Sequence, residues 1–122
     1  MKILIAEDNS LTLKIIQKTL EKKGFEVIAT RDGMEAVQKI EEHSPEVVIL
    51  DIMMPFYSGL EIVAKIKQDS TKVKVIVISD MGQQSVVDEA MRLGADEYIL
   101  KPFSINTLLS YIQRLAVVPA NA

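Results

Sequence analysis

Short apolar runs alternate along the chain with longer stretches in which apolar residues recur at helical spacing. Five of the short runs have the length and composition of strands, and they lie at residues 3–6, 27–29, 47–50, 75–78 and 98–100. The first, third and fourth are apolar over four consecutive residues, which is typical of strands that are covered on both faces. The pattern therefore predicts a parallel sheet between two layers of helices.

Five helices are predicted, one after each strand. Leu13, Ile16 and Leu20 mark the apolar face of the first helix. We expect it to end at Gly24, because glycine readily adopts the left-handed conformation that terminates helices. The other four helices are indicated by apolar positions within residues 36–40, 60–66, 86–91 and 105–115. Ser104 is the predicted N-cap of the fifth helix.

This order of elements predicts the fold class. Five strand–helix units are too few for an eightfold barrel, so an open sheet with helices on both faces is the remaining solution. The sequence therefore predicts an α/β fold of the flavodoxin-like, doubly wound type, a (βα)5 chain whose five parallel strands follow the order 2-1-3-4-5.

Composition restricts the class of protein. With 122 residues, 48% of them hydrophobic, the chain fits one domain with its own core and does not fit a disordered protein. The absence of cysteine excludes a disulfide framework and thiol catalysis. No apolar run has the length of a membrane span and no signal-peptide pattern opens the chain, so we predict a cytoplasmic protein. The expected domain covers residues 1–118, and residues 119–122 form a short tail or a truncated linker.

The charge pattern argues against nucleic acid as a partner. Fourteen basic residues against seventeen acidic ones give a net charge of −3. No basic stretch is longer than a pair, so the positive patch that binds a phosphate backbone is missing from the sequence. We therefore expect no direct binding of DNA or RNA by this segment.

Polar residues follow four of the predicted strands, at the edge where ligands bind in open α/β sheets. They are Glu7 and Asp8 after the first strand, Asp51 after the third, Ser79 and Asp80 after the fourth, and Lys101 after the fifth. Taken singly, each is explained by a helix cap or a turn. Their occurrence together at one edge of the sheet favours a functional site.

The types of these residues indicate their chemistry. Three carboxylates at close range repel one another or share a proton, and a cation removes the conflict. Oxygen ligands without cysteine or histidine suit a hard ion, and a small set that leaves room for water favours Mg²⁺, with Mn²⁺ as the alternative. Lys101 adds a positive charge and Ser79 a hydroxyl donor. The set is suited to holding a phosphoryl group.

In these motifs the chain resembles the receiver domain of two-component response regulators, of the type that includes the single-domain chemotaxis regulators. The motifs lie at residues 5–9, 48–55 with Gly59, 77–79 and 94–103, and the resemblance covers nearly the whole chain. It implies a phosphoprotein of a phosphorelay, a signalling switch that promotes its own phosphotransfer and dephosphorylation and is not a conventional enzyme. The implied partners are a sensor histidine kinase or a histidine phosphotransfer protein, and a downstream protein or a missing effector domain.

The resemblance also implies roles for individual residues. Asp51 is the phosphoryl acceptor, which attacks the phosphorus of a phosphohistidine. Asp8, Asp51 and the backbone carbonyl of Met53 are the Mg²⁺ ligands, and Glu7 acts through a metal-bound water. Lys101 pairs with Asp51 before transfer and with a phosphoryl oxygen afterwards.

Further implied roles concern the switch. Ser79 moves toward the phosphoryl group, Tyr98 turns inward, and the face formed by the fourth helix, the fifth strand and the fifth helix changes its packing. A cis peptide bond before Pro102 directs the lysine that precedes it. The implied state is a monomer or a dimer linked to phosphorylation.

One departure from the family pattern and three alternative functions stay open at this point. Asp80 occupies a position where the family usually carries a small residue, and we expect it to modulate the rates of phosphorylation or dephosphorylation. The alternatives are a Mg²⁺-dependent phosphohydrolase, which is disfavoured because no second acid lies two positions after Asp51, and a flavin or dinucleotide carrier, which lacks a glycine-rich loop. The third is a docking module that never turns over phosphate.

Overall fold

A computed structural model describes residues 1–70 and 72–116 of the chain. Strands and helices alternate in the order β1 (Lys2–Ala6), α1 (Ser10–Lys22), β2 (Glu26–Thr30), α2 (Gly33–His43), β3 (Val47–Asp51), α3 (Gly59–Asp69), β4 (Lys74–Ser79), α4 (Gln84–Arg92), β5 (Glu97–Leu100) and α5 (Ile105–Ala116). All the strand pairs are parallel, and the sheet order is β2-β1-β3-β4-β5. The predicted fold class and strand order are confirmed. The predicted domain end at residue 118 and the tail at 119–122 lie outside the described residues.

The sheet separates two hydrophobic cores, because side chains of a strand point alternately to its two faces. Ile3 and Ile5 of β1 pack with Ile49 of β3 in the core that α1 and α5 cover. Leu4 and Leu50 point the other way, into the core beneath α2, α3 and α4. Both faces of the central strands are therefore buried, which explains why their sequences show no alternation of polar and apolar residues.

Side-chain caps hold the helix starts close to the ends of the strands. The side chain of Asn9 accepts the Thr12 amide at the start of α1. Ser104 accepts the Thr107 amide at 3.1 Å, as predicted for an N-cap of α5. At the opposite edge, Gly24 follows α1 with a φ of 93°, the left-handed conformation expected there. The connections at the carboxyl edge place polar residues from several strands around one point.

The helices are ordinary in length for a protein of this size. None of those within residues 1–70 and 72–116 is both long and apolar enough to cross a membrane.

Candidate functional site

Three carboxylates meet at the carboxyl edge of the sheet. Glu7 and Asp8 follow β1 directly, Asp51 is the last residue of β3, and the two strands are hydrogen-bonded neighbours. Glu7, Asp8 and Asp51 each offer an oxygen, and these oxygens lie within 4.8 Å of one another. Glu7 is fully buried, Asp51 is 5% exposed, and Asp8 is exposed. The predicted convergence of these acids is confirmed, with Asp8 forming the open side of the cluster.

The side chain of Lys101 forms hydrogen bonds with both buried acids, Glu7 and Asp51. Its Nζ donates to Asp51 Oδ2 at 2.8 Å and to Glu7 Oε1 at 2.6 Å. Its backbone amide donates to the Ser79 carbonyl at 2.8 Å, and the peptide bond to Pro102 is cis, as the resemblance implied. The pairing with Asp51 was predicted. The pairing with Glu7 was not, because a lysine side chain is long enough to reach either acid, and the sequence does not show which one it contacts.

The buried charges change the protonation of the cluster. Burial raises the pKa of Glu7 from its ordinary 4.5 to about 7, the neighbouring Asp51 adds to the rise, and Lys101 opposes it. Burial alone lowers the pKa of Lys101, but its bonds to Asp51 and Glu7 outweigh this, so the net pKa is raised. One ammonium group is thus shared by two buried acids beside a third that is exposed. The cluster retains an excess of negative charge.

This donor set fits a hard divalent cation. The oxygens come from three carboxylates with no sulfur or imidazole ligand among them, and such oxygen sites suit Mg²⁺ or Mn²⁺. A cation there would stabilise the ionised form of Glu7, which burial and, to a smaller extent, the neighbouring Asp51 disfavour. Asp8 is exposed and therefore leaves one side accessible to water and to a phosphoryl group.

Contacts on both carboxylate oxygens fix the orientation of Asp51. Its Oδ1 accepts a hydrogen bond from the Met53 amide at 3.0 Å, and its Oδ2 accepts one from Lys101 Nζ. The Gly59 amide donates a hydrogen bond to the Ile52 carbonyl at 3.0 Å. A Cβ on Gly59 would lie 2.4 Å from the Asp51 carbonyl oxygen. In the sequence, Gly59 stood out only together with the motif at residues 48–55. The structure gives it a specific reason, which is the close approach of α3 to the residue that carries the carboxylate.

Ser79 and Tyr98 both bind the backbone of Met81. Ser79 is fully buried, and its Oγ accepts the Met81 amide at 2.9 Å. The half-buried Tyr98 hydroxyl donates to the Met81 carbonyl at 2.5 Å. The two residues that the resemblance implied as a switch are therefore connected through one residue of the β4–α4 connection. Sequence reasoning did not indicate this role for Met81, since a backbone contact leaves no signal in side-chain type.

Asp80 lines a cavity that also contacts Lys101. It follows Ser79, the last residue of β4, which pairs with Leu100, the residue before Lys101. Asp80 is exposed, and together with Lys101 it lines a cavity of about 380 Å³ between α1 and the β5–α5 connection. The other walls of the cavity are mainly apolar and include Ile15 and Phe103.

The loop after Asp51 contains a strained turn that the sequence did not predict. Phe56 has a φ of 73°, an uncommon value for a bulky residue, and the Tyr57 amide donates to the Pro55 carbonyl across it. The Gly33 amide also binds the Pro55 carbonyl, and a Cβ on Gly33 would lie 2.2 Å from the Tyr57 carbonyl oxygen. The start of α2 therefore supports this loop from outside.

Comparison with known proteins identifies the family. The family profile for the response regulator receiver domain matches residues 3–113. This chain belongs to the response regulator receiver domain family. Receiver domains accept a phosphoryl group in a Mg²⁺-dependent reaction within two-component systems, and they act as signalling switches.

The relatives of this receiver domain include single-domain regulators. The chemotaxis protein CheY of Bacillus subtilis is 40% identical over 114 residues, which cover 93% of this chain and 95% of that protein. The polar-differentiation response regulator DivK of Brucella anthropi is 34% identical, covering 90% of this chain and 94% of that one. Among solved structures, a chain of the CheX-CheY-BeF3-Mg²⁺ complex from Borrelia burgdorferi has a TM-score of 0.89 at 30% identity, covering 97% of this chain and 90% of that one.

Proposed function

We propose that Asp51 is the phosphoryl acceptor of this receiver domain. The observation that carries the proposal is the environment of its carboxylate, which is almost fully buried, held by the Met53 amide and Lys101, and flanked by Glu7 and Asp8. A carboxylate oxygen of Asp51 attacks the phosphorus, the bond from phosphorus to the donor breaks, and its electron pair leaves with the donor. Fixed contacts on both oxygens reduce the reorganisation needed at the moment of transfer.

The same residues would hold the metal. Asp8, Asp51 and the Met53 carbonyl would ligate Mg²⁺, with Mn²⁺ as the alternative, and Glu7 would act through a bound water. When present, the ion supplies positive charge that stabilises the phosphoryl oxygens. Lys101 neutralises Asp51 before transfer and then binds a phosphoryl oxygen, which is the role of a positioning cation. This division of roles is supported by the burial of Lys101 between Glu7 and Asp51.

The switch operates through Ser79 and Tyr98. A phosphoryl group on Asp51 attracts the Ser79 hydroxyl, which now accepts the Met81 amide, and the movement changes the β4–α4 connection that also binds Tyr98. The face of α4, β5 and α5 then changes its affinity for partners. The contacts that Ser79 and Tyr98 both make with Met81 support this route.

The proposed partners follow from the same assignment. The phosphoryl donor is the phosphohistidine of a sensor histidine kinase or a histidine phosphotransfer protein in the cytoplasm. The recipient of the signal is a downstream protein or an effector domain, acting on a monomer or a phosphorylation-linked dimer. The solved complex of CheX with CheY is consistent with a protein target for a receiver domain of this size.

The assignment of Asp51 is tested by incubating the protein with Mg²⁺ and phosphoramidate or acetyl phosphate and measuring its intact mass. We expect one phosphoryl group per chain, labile in base, in the wild type and none in Asp51→Asn. Asp69→Asn, an exposed acid at the end of α3, is the matched control and should be phosphorylated normally. Phosphorylation of Asp51→Asn at the wild-type level would show that another residue accepts the group. A wild type that takes up no phosphoryl group from either donor would favour the docking module.

A further inference from the structure

We infer that Asp80 makes this receiver select phosphoryl donors by the charge of their leaving group, favouring nitrogen-linked donors over acyl phosphates. The inference rests on the proposed function of Asp51. It starts from the unusual presence of an exposed carboxylate at the cavity that Lys101 shares. Lys101 cannot neutralise it, because its ammonium group is bound to Glu7 and Asp51.

The cavity is suited to the departing part of a donor. It measures about 380 Å³, within the range of small-ligand sites, and it is lined by the lysine that contacts the carboxylate of Asp51. Its apolar walls, which include Ile15 and Phe103, suit a small neutral or partly apolar group. Asp80 is its one acidic lining residue among those described, and Lys101, its basic one, is bound to Glu7 and Asp51, so Asp80 is the negative charge that a departing group meets there.

The two classes of donor respond to Asp80 in opposite ways. In phosphoramidate at neutral pH the nitrogen carries three hydrogens and a positive charge. When Asp51 forms the new P–O bond, the P–N bond breaks, and the electron pair of that bond leaves on neutral ammonia. In acetyl phosphate the P–O bond breaks, and its electron pair leaves on acetate, which gains a full negative charge. Asp80 attracts the cationic nitrogen while the donor docks, and it repels the charge that develops on acetate.

The ratio of the two rates isolates this effect. Asp80 also repels the anionic phosphoryl group, but that repulsion acts on both donors and cancels in the ratio, as does any effect on Mg²⁺ binding. An interaction between neighbouring charges at a protein surface changes a rate by about fivefold, the equivalent of about 1 kcal/mol. Salt screens such interactions, so the difference between the donor ratios of the wild type and Asp80→Asn should become smaller as ionic strength rises.

The experiment compares second-order rate constants for phosphoramidate and acetyl phosphate at fixed Mg²⁺ and ionic strength, with phosphorylated protein measured by intact mass. The variants are Asp80→Asn, which keeps the shape and removes the charge, and Asp69→Asn, which removes the same charge at the end of α3. We expect Asp80→Asn to shift the ratio about fivefold toward acetyl phosphate, and Asp69→Asn to leave it unchanged.

Three results would overturn the inference. An unchanged ratio in Asp80→Asn, or equal acceleration with both donors, would mean that Asp80 does not sense the leaving group. An equal shift in Asp69→Asn would mean that total charge alone sets the ratio. A wild type that accepts no phosphoryl group from either donor would overturn the proposed function of Asp51 itself. The first two results would overturn only the role of Asp80.

Discussion

Substitution of Glu7 by glutamine should remove a pH dependence of stability that the buried site creates. Burial raises the pKa of Glu7 from 4.5 to about 7 in the metal-free fold. Between these values the folded protein binds a proton that the unfolded chain has released, so the free energy of unfolding falls as the pH rises. The pKa values differ by about 2.5, and at about 1.4 kcal/mol for each pH unit the total fall is about 3 kcal/mol.

The assay is urea unfolding followed by far-UV circular dichroism from pH 5 to pH 8, with a chelator present. We expect the wild type and Glu41→Gln, an exposed carboxyl of α2, to lose stability over this range, and Glu7→Gln to lose about 2.5 kcal/mol less, since most of the interval between the two pKa values of Glu7 lies within it. Replacing the chelator with Mg²⁺ should reduce the wild-type loss, because a cation stabilises ionised Glu7. An equal loss in Glu7→Gln and the wild type would refute the reasoning.

Two further substitutions test the contacts around the site. Tyr98→Phe removes the hydroxyl that donates to the Met81 carbonyl and should lower the free energy of unfolding by about 1 kcal/mol, measured in urea; no change would exclude a stabilising role for this bond. Gly59→Ala places a Cβ 2.4 Å from the Asp51 carbonyl oxygen and should cost about 2 kcal/mol and slow phosphorylation. Gly82→Ala is its control, since its Cβ would meet a leucine side chain no closer than 3.4 Å; equal effects of the two substitutions would contradict the argument.

The sequence predicted the fold and the members of the site because both follow from strand ends. Buried strands are continuous apolar runs, and the first polar residue after each run necessarily lies at the carboxyl edge of a parallel sheet. Glu7, Asp51 and Lys101 were found in this way, and the order of the strands then brought them together. The roles of these residues in phosphoryl transfer came from the resemblance to the family and remain predictions.

Features that depend on the path of the backbone could not be predicted. The turn at Phe56 and the support of this loop by Gly33 depend on positive φ and on a close approach between two loops, neither of which leaves a periodic pattern. The contacts of Ser79 and Tyr98 with Met81 involve backbone atoms, which every residue type carries. A local signal existed only for Gly33, where aspartate and glycine together mark the start of a helix.

The shared ammonium group of Lys101 connects the state of Asp51 to the state of Glu7. In the unphosphorylated fold both carboxylates hold this ammonium group, at 2.8 and 2.6 Å. A phosphoryl group on Asp51 adds negative charge and competes for Lys101, so Glu7 loses part of the interaction that opposes the rise of its pKa. Buried Glu7 then needs another positive charge, which Mg²⁺ or a proton supplies. Phosphorylation and cation binding should therefore favour one another, and this coupling follows from the placement of one lysine between two buried acids.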